Sequence, residues 1–343
     1  MRIRVKGFMT SWLSLTVTRL LWLPPTLLVL LVFVFVISRV VPIDPAVLAA
    51  GENATAAQVE EVRQRLGLDE PLLLQFAKYL RDVLHGDLGN SVYTQQPVIQ
   101  DLILRLPATL ELAIVAALLA SLFSIPLGVV AGLHRNSWLD HAVRLFAAVS
   151  LALASFWIAI QLQFLFSMKL GWLPLSGRTD EFAPDTVTGF VLLDAAIAGD
   201  GAGIVSALRH IILPAGSVSL LTSATLLRFA RNSAISAASS ASVAYQEAMG
   251  MPRRVIVWKY VLRMALAATV TQLGLSMGVM LTGSLVVEAI FDWPGLGGYA
   301  VQSILYSDYN ALMGVTLCVG ALFAVFNLLV DLLQAAIDPR GES

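Results

Sequence analysis

The chain has 343 residues, of which 57% are apolar and 13% charged. An average globular domain is about 25% charged and about 45–50% apolar, so about half the charge of a soluble surface is present and a cytosolic enzyme is all but excluded. A disordered chain, which needs low hydrophobicity and high net charge, is excluded on the opposite ground. Twenty-two Lys and Arg against 23 Asp and Glu leave a net charge of −1, and the single Cys, Cys318, rules out an intramolecular disulfide or a Cys-built metal site. His85, His134, His141 and His210 never fall in HExxH spacing, and no GxxxxGK[ST] loop occurs. If the protein uses ATP, another chain binds it.

Crossing a hydrocarbon core of about 30 Å takes about 20 helical residues. Six charge-free windows of at least 18 residues meet that need: Leu20 to Ser38, Leu112 to His134, Leu145 to Met168, His210 to Leu227, Met264 to Val287 and Tyr309 to Val330. Backbone groups in lipid must be satisfied internally, so these windows are predicted helices rather than barrel strands, whose apolar residues would alternate. The first follows Arg2, Arg4 and Lys6 and precedes Val47-Leu48-Ala49, as in a signal peptide. It is longer than an h-region and is followed by Pro42 and Pro45, which favours an uncleaved span.

Between the first two windows lies a long polar segment that reads as two amphipathic helices. Thr55-Ala-Ala-Gln58 matches a capping box, Val59, Val62 and Leu66 share a face, and Gly67 ends the first helix. Pro71 opens the second, with Phe76, Leu80, Val83 and Leu84 on one face up to Gly86. These suit a cap on the outer membrane face.

Six spans put both termini on one side. With the N-terminus inside, 13 Lys and Arg are cytoplasmic and 9 external despite much longer external loops, as the positive-inside rule requires. Adding the 5 internal and 18 external acids turns a near-neutral chain into faces of +8 and −9. Glu111, Glu288 and Asp331 border windows and none sits at a midplane, so no proton relay or buried ion site is expected.

The only long cytoplasmic loop, 228–263, holds six of the 13 internal basic residues. Its Ala/Ser-rich helical centre stops at Gly250, and Pro252 opens a second short helix. Two angled helices projecting from the membrane have the shape of a lever for a partner.

At this loop, "ASVAYQEAMGMPRRVIVWKYVLRMAL", the chain resembles the inner-membrane permeases of bacterial ABC importers, whose signature is an EAA-type stretch with Gly six residues after the Glu. Gly250 takes the Gly position. Ala244 stands where the Glu would be, with Glu247 three residues on. "LGLDEPLLLQFAKYL", "HGDLGNSV", "LPATLELA", "GWLPLSGR", "TGFVLLDAAIAGD", "HIILPA", "EAIFDWPGLGGY" and "LLVDLLQAAIDPR" resemble the dipeptide/oligopeptide/nickel branch, in the permease with the larger external insert, over nearly the whole chain.

The resemblance implies an all-α, type I permease with six transmembrane helices in the bacterial inner membrane, both termini cytoplasmic. It divides into a cytoplasmic N-terminus (1–19), a first span (20–41), an external helical insert (42–107) and a five-span core (108–343) with the coupling loop 228–263 and external loops 169–209 and 288–308. The partners implied are a homologous second permease, two cytoplasmic ATPases holding ATP and Mg, and an external binding protein. No cofactor or metal is expected in this chain, and no nucleic acid. Ala244, Tyr245, Gln246, Glu247, Ala248, Met249, Gly250, Met251, Arg253 and Arg254 would meet the ATPase, with a basic juxtamembrane loop serving topology and anionic lipid as the alternative. Gln272, Ser276 and Met280, four apart on one face, are candidate lining of the path, with ordinary helix packing as the alternative. Glu288, Asp292 and Trp293 would form an external gate or binding-protein contact, with interfacial anchoring as the alternative.

The cargo expected is a di- or oligopeptide, with nickel the alternative in the same branch. Gly274-Leu-Ser276-Met-Gly278 also matches the GxSxG serine-hydrolase elbow, but it lies mid-window without a His deep in any span to serve as base. A membrane-bound sensor or scaffold is the third class.

Overall fold

Several helix starts in this chain are set by short polar side chains satisfying the first free N–H groups, and three others by a preceding proline. Thr55 and Gln58 form the reciprocal capping box, the Thr55 N–H donating to Gln58 Oε1 at 2.8 Å and the Gln58 N–H to Thr55 Oγ1 at 3.4 Å. Ser137, Asp200 and Ser240 accept from Asp140, Ala202 and Val243 N–H groups. The computed structural model describes residues 21, 24–36, 55–65, 69–180 and 187–337. Among them the regular elements are all helices, joined by loops, with one isolated bridge between Asn90 and Pro97.

In chain order the helices are α1 (Pro24–Val36), α2 (Ala56–Arg65), α3 (Leu72–Leu84), α4 (Val98–Leu133), α5 (Trp138–Ala152), α6 (Ser155–Lys169) and α7 (Val191–Ala198). They continue as α8 (Gly201–Ala238), α9 (Ala241–Ala248), α10 (Arg253–Ile290), α11 (Leu296–Leu305) and α12 (Tyr309–Ile337). Four of them, α4, α8, α10 and α12, are long and apolar enough to cross a membrane. At 1.5 Å per residue the 36 residues of α4 reach about 54 Å, so it projects well beyond a hydrocarbon core. It also runs unbroken through residue 107, where the external insert was expected to meet the core.

The third apolar window, Leu145 to Met168, is not one helix. Leu153 and Ala154 are extended, with ψ of 137° at both, and α5 and α6 meet at 103°. Hydropathy reports the absence of charge and says nothing of direction. Each half packs against α8 from its own side, α5 through Asp140 and Arg231 and α6 through Ala159 in the main core. Counted as one bent span, the pair makes a fifth. Of the first window, α1 covers 13 residues. Gly67, Arg2, Arg4, Lys6, Arg19 and Arg340 lie outside the described residues.

The centre of the fold is the α4–α8 pair, with α10 packed on both. Gly128 and Gly132 on α4 face Ala230 and Ala234 on α8, and a Cβ on Gly132 would stand 2.9 Å from the Ala234 side chain. Small residues at four-residue spacing let membrane helices close to backbone contact. Towards the other end the seam widens into the main core, where Leu112 and Ala116 meet Ile211, Ala215, Met280, Val287 and Trp293.

Candidate functional site

The coupling segment is built by two stops and one anchor. Ser239 and Ser240 end α8 and open α9; Gly250, at φ +76°, ends α9, with the Met251 N–H closing on the Gln246 carbonyl at 3.1 Å. That left-handed residue is the conformation glycine adopts without a side-chain penalty. Pro252 is extended and starts α10. Within α9 only Val243 is buried, against Ala237, Ile256 and Val261. Ala241, Ser242, Ala244, Tyr245, Glu247, Ala248 and Met249 are all exposed, Tyr245 by 68% and Met249 by 67%. Gln246 and Met251 are half-buried and Arg253 and Arg254 exposed. Apolar side chains displayed on a helix held at its base are a surface shaped for a partner.

Below this segment sits an ion pair without precedent in the sequence reading. Asp140, with no exposed surface, accepts from Arg231 Nη2 at 2.9 Å, from Arg231 Nε, and from the Asn136 N–H at 3.1 Å, with Arg144 at 3.8 Å. It ties the α4–α5 turn to the stretch of α8 that leads into α9. Both residues stood as single charges beside apolar windows; their pairing, 91 residues apart, leaves no periodic trace.

At the opposite end, Glu288 and Trp293 are buried and Asp292 is exposed, with φ +48°. Glu288 accepts the Gly297 N–H at 2.7 Å and the Ser284 hydroxyl at 3.3 Å, so it holds the first turn of α11. Trp293 donates its indole N–H to the Ala108 carbonyl at 2.9 Å and lies under the Arg178 guanidinium. These two therefore shape the turn from inside, and Asp292 alone of the three presents its side chain outward.

Two further polar clusters secure this end. Arg178 pairs with Glu111 and donates to the Gly189 carbonyl at 2.7 Å, while Glu111 also accepts the Leu192 N–H at 2.8 Å. Asp194 accepts from the N–H groups of Val187, Thr188 and Gly189 and from the Thr188 hydroxyl, closing the loop before α7. Burial pushes its carboxyl up, and those donors more than offset this, holding it below the ordinary Asp value. Separately, Asp308 caps α12 and accepts from Ser91 Oγ at 2.5 Å, pinning the 87–97 loop to α12, and Asp101 of α4 accepts from Tyr299 of α11 at 2.9 Å and from the Thr94 hydroxyl of that loop.

In α10, Gln272 is half-buried, Ser276 is 6% exposed and Met280 2%. The Ser276 hydroxyl donates to the Gln272 carbonyl at 2.9 Å, and Met280 belongs to the main core. Cβ atoms on Gly274 and Gly278 would run into Val330 and Phe323 of α12, so the GxSxG pattern is a helix-packing seam rather than a nucleophile turn.

Comparison with known proteins agrees with this arrangement. The family described as binding-protein-dependent transport system inner membrane component matches residues 124–342, and its N-terminal counterpart matches 12–113. Among relatives, the probable D,D-dipeptide transport system permease protein DdpB of Escherichia coli is 43% identical over 90% of this chain and 92% of its own length. The dipeptide permease DppB of Alkalihalophilus pseudofirmus is 34% identical over 96% and 99%, and the glutathione permease GsiC of Pectobacterium atrosepticum 37% over 95% and 98%. With its apolar helices, multi-pass organisation and near full-length likeness to these permeases, the chain belongs to the binding-protein-dependent transport system inner membrane components, in the dipeptide/oligopeptide branch of ABC permeases.

Proposed function

We propose that this chain is one of two homologous permease subunits of an ATP-driven importer that takes di- or oligopeptides from an external binding protein into the cytoplasm. The observation that carries the reading is α9, a short helix anchored by Val243 alone, displaying Tyr245, Ala248 and Met249 and closed by left-handed Gly250. Two cytoplasmic ATPases seat on this helix and its counterpart in the second permease, and Arg253 and Arg254 face their acidic groups. ATP and Mg stay on those partners, and this chain makes and breaks no bond. In this reading α1 and the α5–α6 pair complete six spans, both termini are cytoplasmic, and 228–263 is the internal loop; the excess of Lys and Arg on that side supports the orientation.

Its free-energy role is to hold two conformations whose balance the ATPases and the loaded binding protein each bias, because a ligand shifts an equilibrium only by its differential affinity for the two states. The 288–308 turn takes the binding protein on its Asp292 side, supported from within by Glu288 and Trp293. Gln272 borders the path, backed by Ser276 and Met280. Peptide cargo is supported by the dipeptide and glutathione permeases above, which lend nothing to the nickel or hydrolase alternatives.

The test uses the assembled transporter with Cys318 replaced by Ala. Ala248→Cys should cross-link to the ATPase in a nucleotide-dependent manner and Gln95→Cys should not; equal cross-linking at both sites defeats the assignment. Vesicles carrying all subunits should accumulate labelled dipeptide with ATP and its binding protein, and uptake of nickel without peptide would replace the cargo reading.

A further inference from the structure

Helix α3 carries an apolar row whose ends, Leu73 and Leu84, no described part of the chain covers, while Leu80 between them is half-buried. At 100° per residue, Leu72, Gln75, Phe76, Tyr79 and Val83 fall on one side, Leu73, Ala77, Leu80 and Leu84 on the next, and Arg81, Leu74, Lys78 and Asp82 on the third, with Arg81 bordering the leucine row. The first side is the docked one. Gln75 is buried, and the Phe76 ring meets Phe35 edge-on at 5.3 Å while Tyr79 stacks on it at 5.9 Å. The second side is open at both ends, Leu73 being 84% and Leu84 77% exposed. On the third, Lys78 is paired with Glu70 at 2.5 Å in water.

The position of the contact identifies the occupant. Phe35 is the next-to-last residue of α1, an apolar helix whose own outward side shows Leu28, Val29, Val32, Phe33 and Val36. A helix resting on the last turn of α1 lies at the depth where hydrocarbon gives way to headgroups. An amphipathic helix at that depth, charged along one side and leucine-rich along another, suits the bilayer interface, where an apolar face sinks about 5–10 Å into the headgroup boundary. We propose that α3 is an interfacial membrane helix, its Leu73–Ala77–Leu80–Leu84 row seated in the lipid beside α1 and its Lys78–Asp82 side in water. The helix then braces the 87–97 loop that follows it, and with it α12, against the membrane surface. The inference needs membrane residence only and stands or falls apart from the cargo.

Site-directed spin labelling of the whole transporter decides it. In a Cys318→Ala background, nitroxides at Leu73→Cys, Leu84→Cys, Lys78→Cys and Asp82→Cys are compared in nanodiscs of phosphatidylethanolamine and phosphatidylglycerol. All four sites are exposed, so labelling leaves the packing intact. Positions 73 and 84 should be several-fold more accessible to oxygen than to a water-soluble nickel complex, and positions 78 and 82 the reverse. Equal access of the nickel complex to all four places α3 in water and overturns the proposal. Exclusion of both reagents from 73 and 84 means that another protein covers the row and overturns it as well.

Discussion

Replacing Arg231 by Leu removes both guanidinium bonds from Asp140, a carboxylate with no exposed surface. What remains is the Asn136 N–H at 3.1 Å and Arg144 at 3.8 Å, the latter 47% exposed and therefore weak. Removing one partner of a buried pair costs about 3–5 kcal/mol because the other charge stays buried and unmatched. Arg231 is itself 15% exposed and Asp140 keeps one strong donor, which places the loss near the lower bound, about 3 kcal/mol or on the order of a hundredfold in the unfolding equilibrium. The assay is unfolding of the purified chain in mixed micelles, followed by tryptophan fluorescence. Asp140→Leu together with Arg231→Leu should recover part of the loss, since an apolar pair leaves no buried charge. A change within about 0.5 kcal/mol for Arg231→Leu, as for an ordinary surface site, refutes the reasoning.

Gly132→Val should lower thermal stability by about 1–3 kcal/mol, because its side chain meets the Arg231 carbonyl and Ala234, whereas Gly216→Ala, with open space around it, should be neutral or stabilising; equal effects would dissolve the close-approach argument. Gly250→Val should impair ATP-driven uptake through a backbone penalty of about 1–2 kcal/mol, there being nothing within 4 Å of its Cβ position, and Gly250→Asn should retain most of it; identical uptake by the two would refute the left-handed requirement. Asp194 has a folded-state value below its unfolded one, so its contribution is full above the ordinary Asp range and is lost as pH falls through the folded value. Protease nicking of the loop before α7 should therefore stay flat from neutrality down to about pH 5 and rise in stronger acid, while Asp194→Asn is nicked throughout; a rise already between neutrality and about pH 5 contradicts the assignment.

Local chemistry was readable along the chain and pairwise chemistry was not. The Thr55–Gln58 box, the stop at Gly250, the restart after Pro252 and the long helices around four windows depend on residues within a turn or on a run of one polarity, and they stand as expected. The 103° bend arises where two apolar helices choose different partners on α8, and nothing between Ser150 and Ser155 breaks the run with Pro, Gly or charge. Spacing puts Gln272, Ser276 and Met280 on one face, where Met280 packs into the main core, while Val330 and Phe323 of α12 meet the opposite face of α10 at Gly274 and Gly278. Glu111 reads as a charge bordering a window and Arg178 as one of the basic residues of an external loop, and their pairing 67 residues apart leaves no trace in the spacing. A membrane window makes such charges costly, and that cost is the signal that each must have a partner somewhere.

Those partners also divide the molecule mechanically. Sliding α4 along α8 would open the Gly128–Gly132 seam and the Ser124 hydroxyl's 3.0 Å bond to the Ser223 carbonyl, and the Asp140–Arg231 pair holds α5, just after α4, to the same helix. In α10, by contrast, the hydroxyls of Thr269, Ser276 and Thr282 are spent on that helix's own carbonyls, and its first turns pass through a π-helical stretch, Ile256–Val261, directly behind α9. At the far end of α10 Glu288 grips the first turn of α11, and Asp101 of α4 accepts from Tyr299 on the same short helix, so α11 is held by α10 and α4 together.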